Sequence, residues 1–484
     1  MSWTVDQQLA LTATEAVAAI QAGRLLATDY VATLLARAAA LETLNALTAL
    51  DMEGALASAR RIDALPAADK ARLALCGLPI VVKDNINTAG LLTSGGTPAL
   101  DGFKPRTTAP SVTKLTDAGA IVLGKANMHE LALGITSTNL SPHAGPVRNP
   151  YDPSLIPGGS SGGTAVAVAA RIVTAGLGTD TGGSTRIPAS LTGIAGFRPS
   201  VGDGGAERRY HDPDAVVPIS HTRDTVGPMA RTVADVALLD GVITGDTSLP
   251  AVTLAGMRIG IPGPFWTDLA HGVEDVARAA LKRLEAAGVL LVPVAMDDVM
   301  ELDRLVGAPV AFHEALNDVR AWLVANDAPV KTVAELAARI GSPDVRRAYD
   351  VVLGDPLAAE YQHALTVERP ALQQHYRDTF ANYGVEALLF PTTILAAVPI
   401  DELEGSSTVS VNGGAPIDTM TAFLRNTDPA SNAGIPGLSV PAGVTADGLP
   451  VGLEIDGPLG SDRRLLAIGI AIEQALGALP APVI

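Results

Sequence analysis

Two serine clusters and one lysine are set where they could do chemistry. Ser160 and Ser161 lie in Gly158-Gly-Ser-Ser-Gly-Gly163, Ser184 follows Thr181-Gly182-Gly183, and Lys83 closes the apolar run Leu78 to Val82. A hydroxyl is a weak nucleophile until a base takes its proton, directly or through a relay. Lys83 can be that base only if its neutral form is populated, which requires burial to lower its pKa from about 10.4. The apolar run before it provides for that burial. Glycines beside the serines let backbone N–H groups approach a ligand that a Cβ would hold off. The turn Thr181 to Ser184 opens a helical pattern, so its N–H groups and the helix dipole suit a developing oxyanion. This is equipment for acyl transfer, with Ser184 or Ser160 as the nucleophile.

The elements that must position these groups alternate between strand and helix patterns. Thr12-Ala-Thr-Glu15 is a capping-box pattern, and helical spacing of apolar residues continues to about Leu47 with a break near Gly23. An alanine-rich helix is expected over Met52 to Lys70. The β-branched run Leu78 to Val82 follows as a buried strand, then a helix over Pro110 to Ala118 and a strand around Val122. After the serine-bearing stretch, Ile156 to Pro199, comes a long Gly/Asp-rich connection, then a helix over Thr232 to Val242. A strand at Met257, a helix over Gly272 to Ala287 and a strand at VLLVPV continue the alternation. Residues 298–383 read as a helical, cap-like insertion, and 387–484 as returning strands and a closing helix. The expected architecture is α/β, one large domain over 1–484 with a mixed, mostly parallel twisted sheet flanked by helices. Within it, 1–70 supplies N-terminal helices and 75–260 the catalytic core, with functional residues beyond the carboxyl ends of strands.

Composition narrows what this core serves. A net charge of −17 argues against nucleic acid as a partner, because phosphate binding needs basic surface. The single cysteine, Cys76, supports neither a disulfide framework nor a cysteine metal site. The first twenty residues lack a basic leader pattern and no apolar run reaches membrane-spanning length, so a soluble cytoplasmic protein is expected. No GxxxxGK[ST] is present, and His129-Glu130 lacks the second histidine of HExxH at Leu133. Gly158 to Gly162 fits GxSxG with Ser160 as nucleophile, but that motif needs a strand before it and NPYDPSLIPGG is turn-forming. His211, Asp212 and Asp214 read as solvated residues of a polar loop.

Taken together, Lys83-Asp84, Gly158-Gly-Ser160-Ser-Gly-Gly163 and Asp180-Thr-Gly-Gly-Ser184-Thr-Arg186 resemble the amidase signature family. The 24-residue separation of Ser160 from Ser184 matches that family's spacing. The resemblance runs from about Leu75 to Leu239 and more weakly through LLFPTT and SNAGIPGLSVPAG to the last helix. It implies the amidase signature fold, Ser184 as nucleophile, Ser160 as relay beside a cis peptide, and Lys83 as base. It further implies an oxyanion hole from the N–H groups of Thr181, Gly182, Gly183 and Ser184. Ser161, Asp180 and Arg186 match positions that hold this network in place. No metal or organic cofactor is implied.

HELALGITSTN, GPVRNPYDP and PISHTRDTVGPMARTVADVALLD are similar to the branch containing indoleacetamide and mandelamide hydrolases. The expected partner is therefore a small amide or carbamate, with anilides, esters and urethanes open to the same acyl-enzyme route, and with no nucleic acid or membrane. A homodimer is left open. Thr185, Thr192 and the longer connection GDGGAERRYHDPDAVV depart from that branch, so residues 203–215 are expected to act as a lid that sets substrate range. Gly134, Ile135 and Thr136, lying between two motif segments, are expected at the substrate. Two other readings stand beside this one. One is a subunit resembling glutamyl-tRNA amidotransferase A that works with a partner; the other is a Ser-His-Asp esterase acting through Ser160.

Overall fold

The computed structural model describes residues 3–484. In chain order the strands are β1 (Leu47–Leu50), β2 (Pro79–Lys83), β3 (Ile121–Ala126), β4 (Ala175–Asp180), β5 (Ala195–Arg198), β6 (Thr225–Ala230), β7 (Arg258–Pro262), β8 (Leu290–Val294), β9 (Ala387–Pro391), β10 (Thr408–Val409), β11 (Ile417–Asp418), β12 (Gly437–Val444) and β13 (Pro450–Asp456). Eleven of them form one sheet in the order β1-β3-β2-β4-β6-β5-β12-β13-β9-β7-β8, and β10 pairs with β11 apart from it. Helices flank this sheet, and the fold is a single α/β unit as expected.

The balance of pairings differs from a mostly parallel sheet. Four neighbours are parallel, β2/β3, β2/β4, β7/β8 and β7/β9. Six are antiparallel, and five of them lie along the centre from β4 to β9. The reason lies in the connections. A parallel neighbour needs a long crossover, usually a helix. No helix lies between β5 and β6, and β12 and β13 are joined by a short turn, so these pairs run antiparallel.

Strand β2 shows how sequence places the chemistry. All five of its residues are buried, and it lies between two parallel neighbours, the setting in which strands become continuous apolar runs. Val82 pairs with Leu177 of β4. Lys83, the last residue of β2, therefore comes level with the carboxyl end of β4, where Thr179 and Asp180 stand. The eight residues of helix Gly162–Ala169 are all buried, as a helix apolar on every side must be, and its one polar side chain, Thr164, donates to Leu177 O at 3.3 Å. Gly178 allows its start to press on β4: a Cβ there would lie 2.7 Å from Ser161 Oγ.

Most predicted helices are found within a few residues. Thr12 accepts from Glu15 N at 3.2 Å while the Glu15 carboxylate accepts from Thr12 N at 2.9 Å, the capping box read from sequence. The helix expected over Met52 to Lys70 is two, Met52–Asp63 and Ala67–Lys70, because Pro66 cannot donate and ends the first. The segment 299–383 is helical in pieces, from Val299–Ala325 to Arg369–Tyr383. Its Val319, Trp322, Leu336 and Tyr349 share an apolar cluster with Leu100, Phe103, Met128 and Leu131, which seats these helices on the connections that follow β2 and β3.

The 203–215 connection is anchored at several points. Arg209 forks onto the Asp240 carboxylate with two bonds of 2.8 Å, and buried Tyr210 donates to the same group at 2.8 Å. Asp212 is not merely solvated: it accepts from Ser111 N at 2.7 Å and Ser111 Oγ at 2.5 Å. No helix among the described residues is long and apolar enough to cross a membrane.

One long-range tie holds the N-terminal helices to the body. Buried Asp235 accepts from Ala13 N at 3.1 Å, Thr14 N at 2.9 Å and Thr14 Oγ1 at 2.8 Å. Asp235→Ala leaves these donors without that acceptor, an expected loss of about 1–3 kcal/mol. Urea unfolding should show a lower midpoint with an unchanged slope, and an unaltered midpoint would contradict the assignment.

Candidate active site

Lys83 is fully buried, and its Nζ has two hydroxyl partners, Ser160 Oγ at 2.6 Å and Thr179 Oγ1 at 2.7 Å. Asn85 Nδ2 also donates to Thr179 Oγ1, at 3.1 Å. Burial pulls the Lys83 amine down to about 7, against the opposing pull of the Asp180 and Asp224 carboxylates. The amine is thus poised between its two forms near neutral pH, as a general base requires.

Ser160 lies at the start of helix Gly162–Ala169, and the Gly159–Ser160 peptide is cis. Its carbonyl accepts from His129 N at 3.1 Å. The next residue ties the two serine loops together, since Ser161 N donates to Ser184 O at 3.2 Å and Ser161 Oγ to Thr179 O at 3.1 Å. Ser184 keeps 6% exposure. Its hydroxyl forms no hydrogen bond among the described residues, so the direct Ser160 to Ser184 link of a relay is not closed here. Such contacts commonly tighten only when substrate arrives.

The turn that carries Ser184 is held from below and behind. Asp180 is buried between two guanidiniums: Arg186 bonds it through Nε and Nη2, both at 3.1 Å, and Arg198 Nη1 at 3.0 Å. Burial alone would raise its pKa, but Arg186 and Arg198 reverse this and hold the carboxyl well below the usual carboxylate range. Arg186 continues to Glu454 at 2.6 Å, Ser431 Oγ at 2.7 Å and Thr427 O at 3.1 Å. Thr427 Oγ1 in turn donates to Gly182 O at 2.6 Å, and Thr181 Oγ1 to Asp224 Oδ1 at 2.6 Å. With side chains and carbonyls so committed, the N–H groups of Thr181, Gly182, Gly183 and Ser184 form no hydrogen bond among the described residues. They form a row of free donors. Gly183 has φ +146° and packs against Thr427 where a Cβ would collide, so this turn needs glycine.

This arrangement can activate a hydroxyl and receive an oxyanion. Residues 29–466 match the family model described as Amidase. The chain belongs to the amidase signature family. It is 43% identical to an indoleacetamide hydrolase of Rhizobium radiobacter over 455 residues, 93% of each chain. It is 40% identical to a mandelamide hydrolase of Pseudomonas putida over 487 residues, 98% of this chain and 92% of that one. A crystal structure of an amidase superposes with a TM-score of 0.84 at 34% identity, covering 96% of this chain and all of the other. The protein is therefore an enzyme of the amide-hydrolysing amidase family.

Other residues of this amidase are less simply placed. Gly134, Ile135 and Thr136 are buried and turned inward: Gly134 packs on the His129 ring, Thr136 Oγ1 lies 3.4 Å from His129 Nδ1, and Ile135 backs Gly159. Their contacts are with His129 and the loop that carries Ser160. The nucleophile-elbow pattern around Ser160 lacks its strand, because 149–159 contains only an isolated bridge at Leu155, and the Ser160 hydroxyl bonds lysine rather than histidine. Thr179, Arg198, Asp224, Thr427 and Glu454 were not read from sequence as site residues. Glu454, which shares the apolar strand PVGLEID with a second buried acid, Asp456, carried a visible signal; the others became meaningful only through distant partners. Among the described residues one histidine-carboxylate group, His221, Glu314 and Asp318, gathers closely enough to hold an ion. Its Glu314 already accepts from Ser220 Oγ at 2.5 Å and Tyr361 OH at 3.0 Å.

Because only the neutral amine accepts a proton, kcat/KM should climb with pH through about 7 and then level. Asp224→Asn removes a negative charge that favours the ammonium, so the inflection should move to lower pH. A pH–rate series on both proteins checks this; an inflection that stays in place, or moves up, contradicts it.

Proposed function

We propose that this amidase is a serine hydrolase that cleaves the C–N bond of small, aryl-substituted amides through Ser184, Ser160 and Lys83. Neutral Lys83 takes the proton of Ser160 as Ser160 takes that of Ser184, and Ser184 Oγ attacks the substrate carbonyl. The oxyanion is received by the N–H groups of Thr181, Gly182, Gly183 and Ser184. Return of the proton along the same path releases the amine, and water repeats the cycle on the acyl-enzyme. The observation that carries this reading is the buried Lys83 Nζ at 2.6 Å from Ser160 Oγ, with the amine drawn down to about 7. Ser161, Asp180 and Arg186 hold the two serine loops in register. The relatives named for indoleacetamide and mandelamide support primary arylamides as the substrate class. Anilides, esters and carbamates, urethanes among them, follow the same chemistry wherever the leaving group is tolerable.

The connection 203–215 supports a role in substrate range. It lines a cavity of about 380 Å3 together with Pro218, Val226 and Trp322, and Asp224, which holds Thr181, is in its wall. Shortening this connection should change relative rates across a panel of arylacetamides, anilides and carbamates. An unchanged panel would remove the loop from specificity.

The decisive test is treatment with an aryl sulfonyl fluoride followed by peptide mass spectrometry. A single adduct on Ser184, with labelling and amidase turnover reduced by roughly 10^2–10^4-fold in Lys83→Ala, is expected. An adduct on Ser160, or full activity in Lys83→Ala, would overturn the assignment of nucleophile and base.

A further inference from the structure

The stretch that follows β3, residues 129–141, has no place in the mechanism above, yet residues 129–139 are all buried although only one short turn, Glu130–Ala132, is regular. Loops normally run over the surface, where water satisfies their backbone. Leu131, Ala132 and Ser137 adopt φ of +54°, +58° and +57°, values that non-glycine residues seldom take and that surrounding structure must enforce.

Its bonds run in two directions. Toward the serine loop, His129 N donates to Ser160 O at 3.1 Å and Ser137 Oγ accepts from Gly162 N at 3.1 Å. A Cβ on Gly159 would lie 2.8 Å from both Ser137 N and Oγ, so the segment presses directly on the peptide before Ser160. Toward the helical region, the Glu130 carboxylate accepts from Gly341 N at 3.1 Å and Ser342 N at 2.7 Å, and Ser342 Oγ accepts from Leu140 N at 3.0 Å. His129 faces both ways: its Nε2 lies 3.0 Å from Asp344 Oδ2, on the first turn of helix Pro343–Gly354, a close polar contact without hydrogen-bond alignment.

We infer that residues 129–141 are a clasp through which the helical region sets the position of Ser160, and that Asp344 is a positioning residue for the reaction, acting through His129. Asp344 touches neither Lys83 nor the serines, and its influence passes along one side chain and one peptide N–H to the Ser160 carbonyl. Because a displacement of about 1 Å can cost on the order of 100-fold in rate, a small shift of His129 is enough to be measured. The inference rests on the proposed relay role of Ser160.

The test compares wild type, Asp344→Asn, Asp344→Glu and Lys83→Ala by steady-state kinetics on a primary arylacetamide and by the rate of Ser184 sulfonylation. Asp344→Asn should lower kcat and the sulfonylation rate roughly tenfold with KM within about twofold of wild type, and Asp344→Glu should recover part of the loss. Ser342→Ala, which removes only the hydroxyl that Leu140 N donates to, should act in the same direction more weakly and serves if Asp344→Asn does not fold. A changed KM or melting temperature with unchanged kcat and sulfonylation would make Asp344 merely structural and overturn the clasp. If Lys83→Ala loses reactivity while Asp344→Asn and Ser342→Ala keep the wild-type kcat, the clasp alone is wrong. If Lys83→Ala keeps its rate, the relay reading fails and the clasp falls with it.

Discussion

An amine taken wholly out of water cannot keep its charge cheaply, and the site depends on that constraint. Lys83 has no exposed surface, and its two nearest partners are neutral hydroxyls rather than a carboxylate. A carboxylate at contact distance would favour the ammonium, the form that cannot accept a proton. Lys125, also fully buried, lies 3.6 Å from Asp84 and is pinned by Ile86 O and Thr93 Oγ1; burial pulls its amine down as well, to about 8, with Asp84 opposing. Neighbouring strands thus carry two buried lysines, one placed among hydroxyls and one beside an acid.

The charges that do lie near Lys83 are kept occupied. Asp180 faces Arg186 and Arg198, and Asp224 accepts from Thr181 Oγ1, Ile219 N and Ser220 N. These contacts fix the turn that carries Ser184 while limiting how strongly either carboxylate favours the charged lysine. A buried ion network of this kind adds little stability over apolar packing, but removing one member leaves an uncompensated charge. Its value here is geometric. It gathers the end of β4, the helix after Ser184, β5, the segment before β6 and β13 around a single guanidinium-carboxylate knot, so the free N–H groups of the turn have a rigid base.

Two irregular stretches pack around the same site. The 203–215 connection stands on one side, anchored by Asp240 and Ser111, and the clasp of residues 129–141 on another, anchored by the helices beyond residue 340. Apart from the short turn Glu130–Ala132, neither presents a regular element. Both rely on side chains capping backbone groups that a helix or strand would have satisfied for itself.

The candidate reactive groups and much of the element list were legible in the local sequence. The Lys83, Ser160 and Ser184 pattern, the capping box at Thr12, the apolar run of β2 and the helices flanking it are local signals, written in residues close together in the chain. Folding in three dimensions decided which strands run antiparallel in the centre of the sheet, because three of the five pairs, β4/β6, β5/β12 and β9/β13, join strands that are not consecutive in the chain. It also decided that Thr179 is the second partner of Lys83 and that Arg198, Asp224 and Thr427 steady the Ser184 turn. These residues lie as much as 245 positions from the groups they bond, and nothing in a polar side chain's own neighbourhood announces a partner brought to it by the packing of a sheet. Gly134, Ile135 and Thr136 mark the same limit: their place between motifs was legible, but the direction in which they face was fixed only when His129 and the cis Gly159–Ser160 peptide were folded against them.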